Sequence, residues 1–103
     1  MTTHPRGVWV DPYVHLALIE YAWLKRTTMS DVLRSVLEYI VEHPDDDSYL
    51  AVPDRPGRKR FAAKTSDEQW EAAAAVALAH GVGFHSLIRR HIIKVLKEEG
   101  LIE

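Results

Sequence analysis

The residues with chemistry to offer gather in one short run, Arg58-Lys59-Arg60-Phe61-Ala62-Ala63-Lys64-Thr65, followed at once by the helix-start pattern Ser66-Asp67-Glu68-Gln69. Read as a strand, the run alternates, placing Arg60, Ala62 and Lys64 on one face and Phe61, Ala63 and Thr65 on the other. One face is cationic and the other mostly apolar. Arg and Lys suit the O6 and N7 acceptors of guanine, and a small side chain such as Ala62 suits a thymine methyl, so the chemistry on offer is recognition of base edges. Arg58 and Lys59 add positive charge beside the strand and would contribute salt-dependent contacts to phosphates.

Other candidate chemistries find less support. Six histidines (His4, His15, His43, His80, His85, His91) are scattered without a His-x-x-x-His or Glu-x-x-His pair backed by a second ligand cluster, so no metal is expected. There is no glycine-rich phosphate loop and no nucleophile motif, and the acids crowd into one segment instead of flanking a pocket. We expect no cofactor, no enzymatic activity and no small-molecule substrate. Net charge is −2, which runs against a polyanion partner. Its distribution answers this in part: Arg55 to Lys64 holds five cationic residues and no acid, while Glu38 to Asp54 holds six acids and no Lys or Arg. Segregation of this kind creates a local field that the net charge hides, although solvated loops would produce it too.

A single strand of this size cannot stand alone in water and needs a partner and covering helices. The chain offers one partner, Arg6-Gly7-Val8-Trp9-Val10. Asp11-Pro12 then supplies an N-cap and a first-turn proline, and Val14, Leu18, Tyr21, Ala22 and Leu24 recur at helical spacing to about Arg26. Thr28 with Asp31 resembles a capping box and opens a second helix, with Val32, Leu33, Val36, Leu37, Ile40 and Val41 as its apolar stripe, ending before Pro44. Residues 44–57 hold three prolines and an aspartate cluster and read as a linker, with Tyr49 to Val52 either a short strand or a packed loop. After the basic strand, Ser66 and Gln69 cap a strongly predicted helix from Asp67 to His80, which Gly81 stops. A last helix runs from Phe84 to about Glu98 with Leu87, Ile88, Ile92, Val95 and Leu96 inward.

At 103 residues the chain suits one domain over 1–103. It contains no cysteine, its N-terminus lacks the apolar core of a signal peptide, and no apolar run reaches spanning length, so a soluble cytoplasmic protein with no membrane partner is expected. Strand, helix, break and helix occur twice, and an offset of 55 aligns Val10 with Thr65, Ala22 with Ala77, Leu33 with Ile88, Arg34 with Arg89, Leu37 with Ile92 and Ile40 with Val95 without a gap. The repeats are 6–43 and 58–98, joined by 44–57.

With Val8-Trp9-Val10-Asp11-Pro12, Ala22 and Thr28-Met29-Ser30-Asp31-Val32-Leu33-Arg34 in one copy, and Phe61-Ala62-Ala63-Lys64-Thr65-Ser66, Ala77 and Gly81-Val82-Gly83-Phe84-His85-Ser86-Leu87-Ile88-Arg89 in the other, the chain resembles the ribbon-helix-helix (Arc/MetJ-type) DNA-binding family. Two copies in one chain look like the fused dimers of TraY-type plasmid-transfer proteins. The first copy departs from the pattern by having Arg26 where the second has Gly81. The resemblance implies a mainly α fold: two tandem units forming one intramolecular pseudo-dimer with a two-stranded antiparallel β-ribbon and four helices. A linker of 14 residues spans at most about 45 Å, enough to bring the second strand back to the first.

A β-ribbon fits the major groove of double-stranded DNA. The outward set is then Gly7 and Trp9 with Arg60, Ala62 and Lys64. Trp9 leaves three readings open: contact with sugar or backbone, burial as core, or a one-residue shift that turns Arg6, Val8 or Val10 outward. By carry-over from the family, Thr28, Met29 and Ser30 in one half and Gly83, Phe84 and His85 in the other would clamp phosphates, using free N–H groups at helix N-termini. Arg34 and Arg89 suit an internal hydrogen bond or ion pair better than a DNA contact. The expected function is sequence-specific DNA binding as a transcriptional repressor or a plasmid or phage accessory factor, with further copies of the chain side by side on repeated sites. Alternatives are a protein-interaction module that has lost DNA binding and an antitoxin, the latter disfavoured because only Gly100-Leu101-Ile102-Glu103 follows the last helix.

Overall fold

The computed structural model describes residues 3–103; Met1 and Thr2, included in the reading of the N-terminus, lie outside them. The order is β1 (Thr3–Val10), α1 (Pro12–Leu24), α2 (Met29–Glu42), a 3-10 turn (Ser48–Ala51), β2 (Lys59–Ser66), α3 (Asp67–His80) and α4 (Phe84–Glu98). The strands pair antiparallel, with Val8 opposite Phe61, Gly7 opposite Ala62 and Trp9 opposite Arg60. Gly7 and Ala62, 55 positions apart, face each other next to the centre of the ladder. β1 begins three residues before the predicted Arg6. Pro5 does not stop it, because a two-stranded ribbon has only edge strands, where a missing N–H is tolerated.

Strand alternation decides which side the helices cover. Val8, Val10, Phe61, Ala63 and Thr65 are buried, and the four apolar ones join Leu33 and Leu37 of α2 and Ile88, Ile92 and Leu96 of α4 in one core. Apolar stripes at helical spacing on α2 and α4 supply most of that core.

Helix ends follow the sequence closely. Asp11 and Ser66 cap α1 and α3 through their side chains, and Thr28 caps α2 by accepting from the Asp31 N–H at 3.0 Å. Gly81 is left-handed at φ 69°, and Arg26, its counterpart 55 positions earlier, takes φ 53°. Thr27 N–H bonds the Ala22 carbonyl at 2.9 Å, and Val82 N–H bonds the Ala77 carbonyl at 3.1 Å. The two stops therefore share one geometry, glycine or not.

Two positions expected to face inward need correction. Leu24 is not on the inward stripe of α1 but mainly exposed, as is Val41 on α2. Of the two readings of Tyr49 to Val52, the packed one holds: Tyr49 and Val52 are buried, and Tyr49 sits in a 3-10 turn, not a strand. Ile102 is also buried, so the last residues pack back on the fold. Among the described residues no single helix is long and apolar enough to cross a membrane.

Candidate nucleic-acid interface

The outer face of the ribbon carries Pro5, Gly7 and Trp9 from β1 opposite Lys64, Ala62 and Arg60 from β2. Trp9 is 50% exposed while Val8 and Val10 are at 0%, which excludes both burial of Trp9 and the one-residue shift. Arg60, Ala62 and Lys64 are exposed beside it. Arg60 leans across the ribbon: a Cβ added at Gly7 would lie 2.4 Å from its Nε. Glycine at position 7 gives the guanidinium room to lie against the opposite strand.

Each end of the ribbon is held by the helix of the other half. Arg34 of α2 donates to the Lys64 carbonyl, and Arg89 of α4 donates to the Trp9 carbonyl. The N-terminal turns of α2 and α4 therefore flank the cationic face, where their unpaired N–H groups and dipoles favour anions. Thr28 spends its side chain on the α2 cap, whereas Gly83 gives α4 no side-chain cap. Met29 and Phe84, again 55 apart, pack against the core, so their contribution to an anion is the backbone N–H. Ser30 is half-buried and His85 exposed. Partial desolvation of its ring and the neighbouring Arg89 hold His85 below its ordinary pKa, although the residue as a whole is exposed.

Charge near the ribbon is sorted. Asp67 is bound by His4 at 2.7 Å and by Arg6, whose guanidinium also lies 5.3 Å from the Trp70 ring. Asp11 meets Arg55 at 3.1 Å, Asp31 meets Arg34, and Asp54 takes a two-pronged contact from Arg89 at 2.8 and 2.9 Å. Among the described residues Arg58, Lys59, Arg60 and Lys64 form no ion pair. These four acids are occupied and the ribbon cations are free. No family model matches the chain, nor does any curated protein or solved structure. The family resemblance thus rests on this chain's own residues.

Sequence reasoning missed the part played by Asp54. Asp31 serves Arg34 within its own helix, but its counterpart 55 positions on is Ser86; the linker carries Asp54 in to serve Arg89 instead. Burial works to raise the Asp54 carboxyl, and the hydrogen bonds and charge of Arg89 outweigh it, leaving it below the ordinary range. Among the described residues no group of three His, Cys, Asp or Glu is placed to hold a metal.

Proposed function

We propose that the chain is a pair of ribbon-helix-helix units fused into an intramolecular pseudo-dimer that binds double-stranded DNA sequence-specifically, acting as a repressor or a plasmid or phage accessory factor. The observation that carries this reading is the two unpaired cations on the uncovered ribbon face, Arg60 and Lys64, with Arg58 and Lys59 unpaired at the ribbon's end and the neighbouring carboxylates already engaged elsewhere. Arg60 and Lys64 read guanine edges, Ala62 meets a thymine methyl, and Trp9 and Gly7 complete the surface in the groove. Thr28, Met29 and Ser30, with Gly83, Phe84 and His85, anchor flanking phosphates, and Arg58 and Lys59 add sequence-independent attraction. Selecting bound duplexes from a random pool and measuring affinity against salt tests this: a DNA reader yields a preferred site and loses affinity steeply as salt rises. No preferred site at low salt would remove the reading.

A second reading, a helical interaction module, is favoured by one feature of α1. Apolar residues of that helix are not confined to its inner face, and Leu16, Ile19, Trp23 and Leu24 stand exposed on its outer side, Trp23 at 77%. Such a protein would bind no duplex specifically at any salt.

A further inference from the structure

A groove with a volume of about 680 Å³ opens between α1, α2 and α4, within the size range of small-molecule sites. Leu18, Val32, Val36, Ile92 and Val95 line it, and Lys25 stands at its rim.

What this groove accepts is shown by its counterpart. Next to this groove, and sharing His91 with it as a wall, the linker inserts the buried ring of Tyr49. The Tyr49 hydroxyl lies 2.8 Å from His80 Nδ1, its ring is 5.3 Å from that of His91, and Arg90 is near enough for its charge to act on the hydroxyl. Moving back 55 positions turns His80, Arg90 and His91 into Lys25, Ser35 and Val36, and all three line the open groove. One groove is plugged by an aromatic ring from the chain itself. Among the described residues the other has no such plug.

Charge distinguishes the two. Where the filled groove sets His80 against a neutral phenol, the open one sets the ammonium of Lys25. Lys25 is tied to Glu99 at 3.1 Å in an ion pair with both side chains well exposed, a contact weak enough for a ligand to displace. Of the groove's own acids, Asp31 is engaged by Arg34, while Glu98 is mostly exposed at the edge, 3.9 Å from Lys94.

We propose that the open groove binds a small aromatic acid, its ring in the place that Tyr49 takes on the other side and its carboxylate against Lys25. The proposal rests on the correspondence of positions 55 apart and not on DNA binding. Titrating isotope-labelled protein with 4-methylbenzoate should give saturable amide shifts confined to residues around the groove. Lys25→Gln should weaken the acid about fivefold and leave the neutral 4-methylbenzamide unaffected. Ser35→Trp, at an exposed position, should block both while keeping the helicity. Absence of saturable shifts at millimolar acid, equal weakening of acid and amide by Lys25→Gln, or binding that survives Ser35→Trp would each overturn the proposal. Shifts that follow protein concentration alone would mean that the groove receives a second copy, and would overturn it too. Neither variant touches the ribbon, so the DNA reading stands or falls by its own titration.

Discussion

The Arg34 guanidinium donates to the backbone carbonyl of Lys64 at 3.0 Å, tying α2 of the first half to the strand of the second. Arg89 and the Trp9 carbonyl repeat the contact at 3.3 Å in the opposite sense. Each strand is thus tied to the second helix that follows the opposite strand.

The two arginines differ in what else they hold. The Arg89–Asp54 pair is mostly buried, with side chains 14% and 19% exposed, whereas Arg34 and Asp31 lie open to solvent. Arg89→Ala should therefore cost about 2 kcal/mol by leaving Asp54 buried without its partner. Arg34→Ala should cost a small fraction of that, and removing Asp54 as well should recover part of the Arg89→Ala loss. Urea denaturation of the three variants checks the order.

Arg26 occupies a left-handed stop that glycine fills in the other half, at φ 53° against 69°. Arg26→Gly should raise stability by about 1 kcal/mol, and Gly81→Ala should lower it by a similar amount. A shift in the denaturation midpoint with unchanged slope would show this.

On the ribbon, Arg60→Ala should cost about 1–3 kcal/mol of specific binding, and Lys59→Ala should reduce the salt slope by about one with little change in preference. Gly7→Ala is the subtler test. Its methyl would displace the Arg60 guanidinium, the flexible end of a side chain, so stability should change by less than about 0.5 kcal/mol while selectivity falls. Fluorescence titrations with matched and mismatched duplexes separate the effects.

His91 sets an acid limit. Burial pushes its pKa down to about 4, with Lys94 and His80 acting in the same direction and Asp46 against them. The rings of Tyr39 and Tyr49 face it from α2 and the linker. The unfolded chain binds this proton below about pH 6.5 and the folded one only near pH 4, so stability is complete above pH 6.5 and falls as pH drops between the two. The loss is about 2 kcal/mol after allowance for solvent screening. His91→Leu should reduce the difference between urea midpoints at about pH 7 and about pH 4.5. His15 and His85 are lowered by burial as well, so some slope should remain.

Features set by neighbours within a few residues were legible in the chain. Asp11-Pro12, Thr28 and Ser66 announce helix starts, Gly81 a stop, and the alternation of Arg60 to Thr65 separates the cationic face from the apolar one, because caps, helical period and strand pleat are local physics. Even the offset of 55 needs only comparison of the chain with itself. Tertiary structure alone decided the rest. It turned Trp9 outward, since burial of Val8 and Val10 in the shared core leaves no inner place for it. It drew Arg6 to Asp67 and Asp54 to Arg89, and it seated Tyr49 against His80. These pairs are 61, 35 and 31 positions apart. No spacing rule reaches so far, because such contacts exist only once the ribbon has closed and the linker has been folded into the groove that it fills.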